Sequence, residues 1–414
     1  MSARDPPISL ALKITSDATL SALNNGSTLT PPLTPVTPVD PSSTTCKEQY
    51  NSRPVTPGSH AFGANNTGNS KPEDDRAVLE PLGFNYDLNI QKGPEGDFLE
   101  YGRGAWSVVY CATSRSITQS AAPPSPPLGT PPKKSILLAV KSPLRRDAHS
   151  ILKTEALLLT RLSRAPRKDY HLVPFLGYIS PSHSIVMSAV PLSLSAYITD
   201  KAAAARETFS TKTMFDPVLS MKGWLALAHS LTKGLDWLHN CGQIVHGDIK
   251  PQNILLKPKS NIDTSADQIF PYETLYADFT SSYDLSPAPS NSGAQPSALS
   301  ALTPPFAAPE LLILKSINSS TPSKASDVFS LAITLLTAAT GDLLLYSGYS
   351  SMQRLAISRD GHRAVEYVRS GTHGSRIPAK GTVERVVSPA LVKDPESRID
   401  LHQWLLLIES EAAI

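Results

Sequence analysis

The sequence predicts an α+β fold of two unequal lobes, a small β-rich one with one major helix and a larger helical one. Three observations predict it. Between Phe98 and Val186 the apolar residues fall in short β-like runs, one helical stretch interrupts them, and from about Leu192 the pattern turns mainly helical. The β-like runs are Ser107 to Ala112, Ile136 to Lys141, Val173 to Ile179 and Ser184 to Ser188. The interrupting helix is Ala148 to Leu162, where Ile151, Leu152, Leu157, Leu158, Leu159 and Leu162 repeat at helical spacing. Further on, Met221 to Asn240 puts Trp224, Leu225, Ala228, Leu231, Leu235 and Leu238 on one stripe, a long amphipathic helix.

The remaining sequence reads as tail and insertions. Proline is 37 of 414 residues, about twice ordinary usage, so much of it must lie outside regular structure. Residues 1–75 are rich in Ser, Thr, Pro and Asn, with Thr30-Pro31, Thr34-Pro35, Thr37-Pro38 and Thr56-Pro57 crowded together. Such a segment buries too little apolar surface to offset chain entropy, and a disordered tail is expected. The folded domain then spans 84–414, with Pro/Ser-rich surface insertions near 120–132, 257–266 and 286–300. Lys and Arg total 38 against 36 Asp and Glu, a net charge of +2 that argues against a dedicated nucleic-acid or membrane-surface binder. Cys46, Cys111 and Cys241 have no metal-ligand spacing and suit a reducing compartment. The N-terminus lacks the apolar run of a signal peptide, and the most apolar stretch, Leu331 to Ala339, is too short to span a bilayer. A soluble intracellular protein, cytoplasmic and/or nuclear, is expected.

Four strings carry chemistry. Tyr101-Gly102-Arg103-Gly104-Ala105-Trp106-Ser107-Val108-Val109 is a glycine-rich turn in strand-forming sequence, and such glycines let backbone approach phosphate oxygens. Leu138-Ala139-Val140-Lys141 ends a buried-type strand in a lysine, and Glu155, the one Glu between Lys141 and Arg164, can hold it from the packed helix. His246-Gly247-Asp248-Ile249-Lys250-Pro251-Gln252-Asn253 lies between two apolar strands. There Asp248 can accept a hydroxyl proton, Lys250 can neutralise a phosphoryl group in transfer, and Asn253 can bind a hard cation. Tyr276-Ala277-Asp278-Phe279 adds a carboxylate as a second metal ligand.

In this order the motifs resemble the eukaryotic protein kinase superfamily, from about Phe84 to the C-terminus. The resemblance implies ATP and Mg2+ as cofactors and a protein substrate bearing Ser or Thr. Gly102, Gly104 and Ser107 would belong to the phosphate-covering loop, with Ser107 in place of a third glycine. Lys141 and Glu155 would form the family's ion pair, Asp248 the catalytic base, and Asn253 and Asp278 the magnesium ligands. Ile185 to Val190 resembles the segment joining an N-lobe of about 84–187 to a C-lobe of 191–414, with the hinge at 188–190. Met187 would back the adenine pocket, the backbone of Ser188 and Val190 would bond the adenine edge, and Tyr101, Val109, Ala139 and Leu255 would sandwich the base. Glu310, in an Ala-Pro-Glu element, is expected to pair with Arg398, and Asp327 to brace the catalytic loop. Lys250 and Thr303 resemble the Ser/Thr branch.

Two departures stand out. Gly247 replaces the arginine that precedes the catalytic aspartate, which implies activity without a phosphate on the activation segment. Thr280 replaces the glycine after Asp278-Phe279, and a β-branched residue at positive φ would cost about 1–2 kcal/mol. The competing readings are a pseudokinase or scaffold that keeps the nucleotide pocket, and a small-molecule phosphotransferase. The Thr-Pro sites of the tail are candidate substrates for an upstream proline-directed kinase.

Overall fold

The computed structural model describes residues 80–115, 135–260, 269–286, 302–312 and 321–414, all within the unit Pro72–Ile414. The expected tail, the insertion at 120–132 and residues 261–266 and 287–300 of the other two lie outside the described residues.

The first described part is one antiparallel sheet. Strands β1 (Leu88–Ile90), β3 (Ser107–Arg115), β4 (Ser135–Pro143), β6 (Ser184–Ser188) and β5 (Phe175–Ile179) lie in that order, and β2 (Glu100–Arg103) also pairs with β3. Alternation along the strands decides what each face carries. Ala112, Leu138, Val140 and Val186 pack with Phe84 in a small core on one face. Ala139 and Lys141, the intervening residues of β4, are thereby placed on the other. The register sets Ala139 opposite Met187, and Lys141 opposite both Val109 and Ile185.

Helix α1 (Ala148–Leu162) has the bounds its periodicity predicts. Its buried stripe is Leu152, Glu155, Ala156, Leu159 and Leu162, while Ile151, Leu157 and Leu158 lie at its margins. The Asp147 side chain makes no capping bond, so burial of this stripe carries the helix. A glutamate in the middle of it must find a cation or lose its charge.

The second part is mainly helical. Helices α2 (Leu194–Glu207) and α3 (Met221–Asn240) are followed by β7 (Ile244–Val245), β8 (Ile254–Pro258), β9 (Tyr272–Tyr276) and β10 (Tyr283–Asp284). Strand β8 pairs with β9, and β7 with β10, both antiparallel. Helix α4 (Lys324–Thr340) then runs through the core, before α5 (Ser351–Arg359), α6 (Ala364–Arg369), α7 (Thr382–Val387) and α8 (Leu401–Ala412). A capping box from Ser323 and Ser326 starts α4, and Gly341 ends it at φ 77°. Phe329, Leu331, Ile333, Leu335 and Leu336 of α4 are fully buried; each such side chain contributes about 1.5–3 kcal/mol. All six predicted stripe residues of α3 are buried, and the Trp224 indole N–H donates to the Leu335 carbonyl at 2.8 Å. A small β-rich lobe with one major helix, then a larger helical lobe, is the architecture expected. Among the described residues, no helix is long and apolar enough to cross a membrane.

Candidate active site

Lys141 and Glu155 meet because β4 and α1 both turn them inward. Lys141 Nζ donates to Oε1 and Oε2 of Glu155 at 2.8 and 2.7 Å, and to Oδ1 of Asp278 at 2.8 Å. The lysine and glutamate side chains are 4% and 2% exposed, whereas Asp278 keeps 39%, so the cluster opens to solvent on the Asp278 side. Burial alone would discharge the Lys141 ammonium, but the Asp278 and Glu155 carboxylates raise its pKa above the ordinary value. Burial likewise pushes the Asp278 carboxyl up. The Lys141 charge and hydrogen bond, helped by the Thr280 hydroxyl, overcome this and hold it well below the carboxylate range. Phe279, itself buried, donates its backbone N–H to Glu155 Oε1 at 3.0 Å and lies against His246.

The second cluster is built on the turn between β7 and β8. Oδ2 of Asp248 accepts from Lys250 Nζ at 2.6 Å and from Asn253 Nδ2 at 3.0 Å, and its Oδ1 accepts from Thr303 Oγ1 at 3.1 Å. Asn253 Nδ2 also reaches the Asp248 carbonyl at 2.9 Å. Burial raises the Asp248 pKa, opposed by the charge of Lys250. The turn is fastened from beneath by Asp327 of α4, which accepts from the N–H of His246 at 2.7 Å, of Gly247 at 3.0 Å, and from His239 Nε2 at 3.0 Å. Gly247 is required here: it sits at φ 77°, and a Cβ would lie 2.3 Å from the Ser281 carbonyl oxygen.

The expected strain at Thr280 is a point of correction. The left-handed residue is Asp278, at φ 62°, and Thr280 is not among the residues with positive φ. Thr280 is instead a hydrogen-bond donor, its Oγ1 lying 2.7 Å from Oδ1 of Asp278. With Oδ1 so engaged, Asp278 Oδ2 accepts no hydrogen bond among the described residues, and neither does Asn253 Oδ1. Two oxygen donors of the hard type are thus left over, a set that fits a divalent cation such as Mg2+. No cluster of three or more His, Cys, Asp or Glu side chains suited to a metal exists among the described residues. Such a cation would complete its shell from phosphate and water.

The sheet supplies the other wall. Tyr101 and Gly102 lie on β2, Ser107 and Val109 on β3, and the Gly104 N–H donates to the Ser107 carbonyl at 2.8 Å. A Cβ on Gly102 would meet nothing within 4 Å, and on Gly104 only the Ser107 carbonyl at 3.9 Å. Protein packing therefore does not demand these two glycines. Lys141, Val109, Ala139 and Met187 occupy neighbouring register positions. The Ser188 N–H is used on the Pro174 carbonyl at 2.9 Å, whereas the Val190 backbone makes no hydrogen bond among the described residues. Leu255 lies on β8, bridged to Ser193.

A family model for the protein kinase domain matches residues 193–406. The chain belongs to the protein kinase domain family. A comparison with curated proteins finds no match. The matched part of the kinase domain contains Asp248, Lys250, Asn253, Asp278, Glu310, Asp327 and Arg398. Lys141 and Glu155 precede it, and the fold brings them to Asp278 across sequence separations of 137 and 123 residues.

Sequence reasoning missed part of this site. His246 links both clusters: its Nε2 donates to the Ala277 carbonyl at 3.1 Å, and its Nδ1 accepts from the Asp248 N–H at 3.3 Å. Its position two residues before Asp248 was the available signal. Arg161 of α1 pairs with Asp284 of β10 at 3.1 Å and also donates to the Gly242 carbonyl at 2.9 Å. Their separation of 123 residues left no local signal at all.

Proposed function

We propose that this kinase domain is a protein serine/threonine kinase that transfers the γ-phosphoryl group of ATP to hydroxyls of protein substrates, with Mg2+ as its cation. The observation that carries the reading is the Asp248 carboxylate held jointly by Lys250, Thr303 and Asn253, with Asp278 near enough for its charge to raise the Asp248 pKa. Asp248 accepts the proton of the substrate hydroxyl as that oxygen bonds to the γ-phosphorus and the bond to the bridging oxygen breaks, releasing ADP. Lys250 offsets the charge on the group in transfer. Lys141, steadied by Glu155, reaches for phosphate oxygens under the Gly102–Gly104–Ser107 turn. Bound at Asn253 and Asp278, Mg2+ would neutralise phosphate charge. The base would lie among Tyr101, Val109, Ala139 and Leu255, with Met187 behind it and its edge on the Ser188 carbonyl and the Val190 backbone. The sharing of Asp248 between Lys250 and Thr303 supports Ser/Thr rather than Tyr as acceptor.

Activity without activation-segment phosphorylation is part of the proposal. Gly247 offers no cation, and the start of that segment is already fastened by the β7–β10 pairing and by the Arg161–Asp284 ion pair. Asp284 there supplies the anion that a phosphate would supply elsewhere. The 84–187, 188–190 and 191–414 division, the dispensable tail with its upstream proline-directed kinase, and an intracellular setting without nucleic-acid or membrane partners complete the reading.

Radiolabelled ATP with Mg2+ and generic protein substrates tests it. Label on Ser and Thr, lost in Asp248→Asn, is expected. Nucleotide binding without transfer would make the chain a scaffold, and label on a sugar or amine alone would make it a small-molecule phosphotransferase.

A further inference from the structure

Thr280 follows Asp278-Phe279, and its side chain contacts the carboxylate on which the cation reading depends. Its Oγ1 donates to Asp278 Oδ1 at 2.7 Å, and its N–H lies 3.4 Å from the same oxygen. Lys141 Nζ reaches that oxygen as well, at 2.8 Å. Oδ1 is held from two sides while Oδ2 accepts nothing among the described residues. The torsion that turns a carboxylate about Cβ–Cγ is soft and nearly two-fold, so an untethered Asp278 would exchange its oxygens between Lys141 and the cleft. Asp278 is also at φ 62°, a backbone state that persists where surrounding contacts over-determine it.

We propose that Thr280 is a positioning residue whose hydroxyl fixes the Asp278 carboxylate with Oδ2 open to the cleft, and so sets the divalent-cation requirement of nucleotide binding. The inference rests on the reading of Asp278 as a cation ligand and adds the residue that aims it. A glycine at this position would offer an N–H but no hydroxyl. A hydroxyl on an ionised acceptor belongs to the stronger class of hydrogen bond. The opposite effect has its own signature: if the hydroxyl competed with the cation for the carboxylate, removing it would lower the cation requirement.

The test uses the full chain and a fluorescent ATP analogue at fixed concentration, titrated with Mg2+. Thr280→Val removes the hydroxyl at nearly constant volume, Thr280→Ala removes it in a second background should the valine variant fail to fold, and Thr280→Ser keeps it. The hydroxyl-free variants are expected to need about tenfold more Mg2+ for half-saturation, as loss of one hydrogen bond to a charged group implies. Thr280→Ser should restore the wild-type requirement. All variants should bind the analogue alike in EDTA, a readout that a merely structural role would shift. An unchanged or lower Mg2+ requirement in both hydroxyl-free variants overturns the proposal while leaving Asp278 as a ligand. A wild-type chain whose binding ignores Mg2+, or matches Asp278→Asn, removes the cation reading and this proposal with it.

Discussion

Two ion pairs in this molecule use the same chemistry to different ends. Lys141 with Glu155 and Asp278 joins the β-rich lobe to the helical one at the cleft, and Arg398 with Glu310 lies within the helical lobe. The Arg398 side chain is 1% exposed and four of its five N–H groups are taken: by Glu310 at 2.8 and 2.7 Å, the Ala325 carbonyl at 2.8 Å and the Val392 carbonyl at 3.0 Å, with the Phe329 ring below. The Lys141 cluster is as deeply set on the lysine side, yet it ends in a carboxylate that is 39% exposed and has one oxygen that accepts no hydrogen bond among the described residues. A closed network holds a fold. A network that stops one bond short has room for a ligand.

Substitutions at the two regions should therefore fail in opposite ways. The largest effect is expected at the cleft: Asp248→Asn should lower turnover by about 10²–10⁴-fold, the range of a general base, with little change in urea-unfolding free energy. Arg398→Ala should do the reverse, destabilising the chain by about 3–5 kcal/mol because a charge is left partly buried without its partner. Equal stability losses in the two variants would erase the distinction. Gly247→Ala sharpens it, since a Cβ there meets the Ser281 carbonyl; a loss of about 1–3 kcal/mol, with reduced turnover, is expected in the same measurements.

Smaller effects concern protons and phosphates. In the proposed mechanism Asp248 works as a carboxylate, and burial raises its pKa against the opposing charge of Lys250. Turnover must then fall as pH drops through that raised value, and it falls sooner on acidification than for an ordinary carboxylate. Lys250→Met removes the opposing charge, so the acid limb of its pH–rate profile should move to higher pH, whereas Lys250→Arg should leave it in place. Phosphatase treatment is expected to have the smallest effect, a change within about twofold, because no arginine beside Asp248 waits for a phosphate. A large loss, reproduced by alanine at Ser281, Ser282, Ser286, Ser290 or Ser297, would show that another cation reads that segment.

Much of the fold was legible because periodicity is a local property. The bounds of α1 and α3 follow from their apolar stripes, and Lys141, Glu155, Asp248 and Asn253 stand out by residue type and spacing. What was not legible depends on tertiary approach. Strands β1, β7 and β10 are two or three residues long, too short for an alternation signal. The left-handed residue was expected at Thr280 because the resembled family carries a glycine there, whereas it is Asp278 that takes this state, with Lys141 and the Thr280 hydroxyl holding its carboxylate from two sides. The Arg161–Asp284 pair and the grip of Asp327 on the β7–β8 turn join segments at least 80 residues apart, and no pattern along the chain announces them.

The central claim is that the unclaimed oxygens of Asp278 and Asn253, with Lys141 beside them, are a Mg2+-nucleotide site. Thermal unfolding of the full chain with ATP and Mg2+, against ATP in EDTA, tests it most directly. At ligand 100-fold above its dissociation constant, stabilisation of about 2.7 kcal/mol is expected with Mg2+, with little in EDTA and little in Asp278→Asn. A melting temperature unmoved by saturating ATP and Mg2+ would contradict the account.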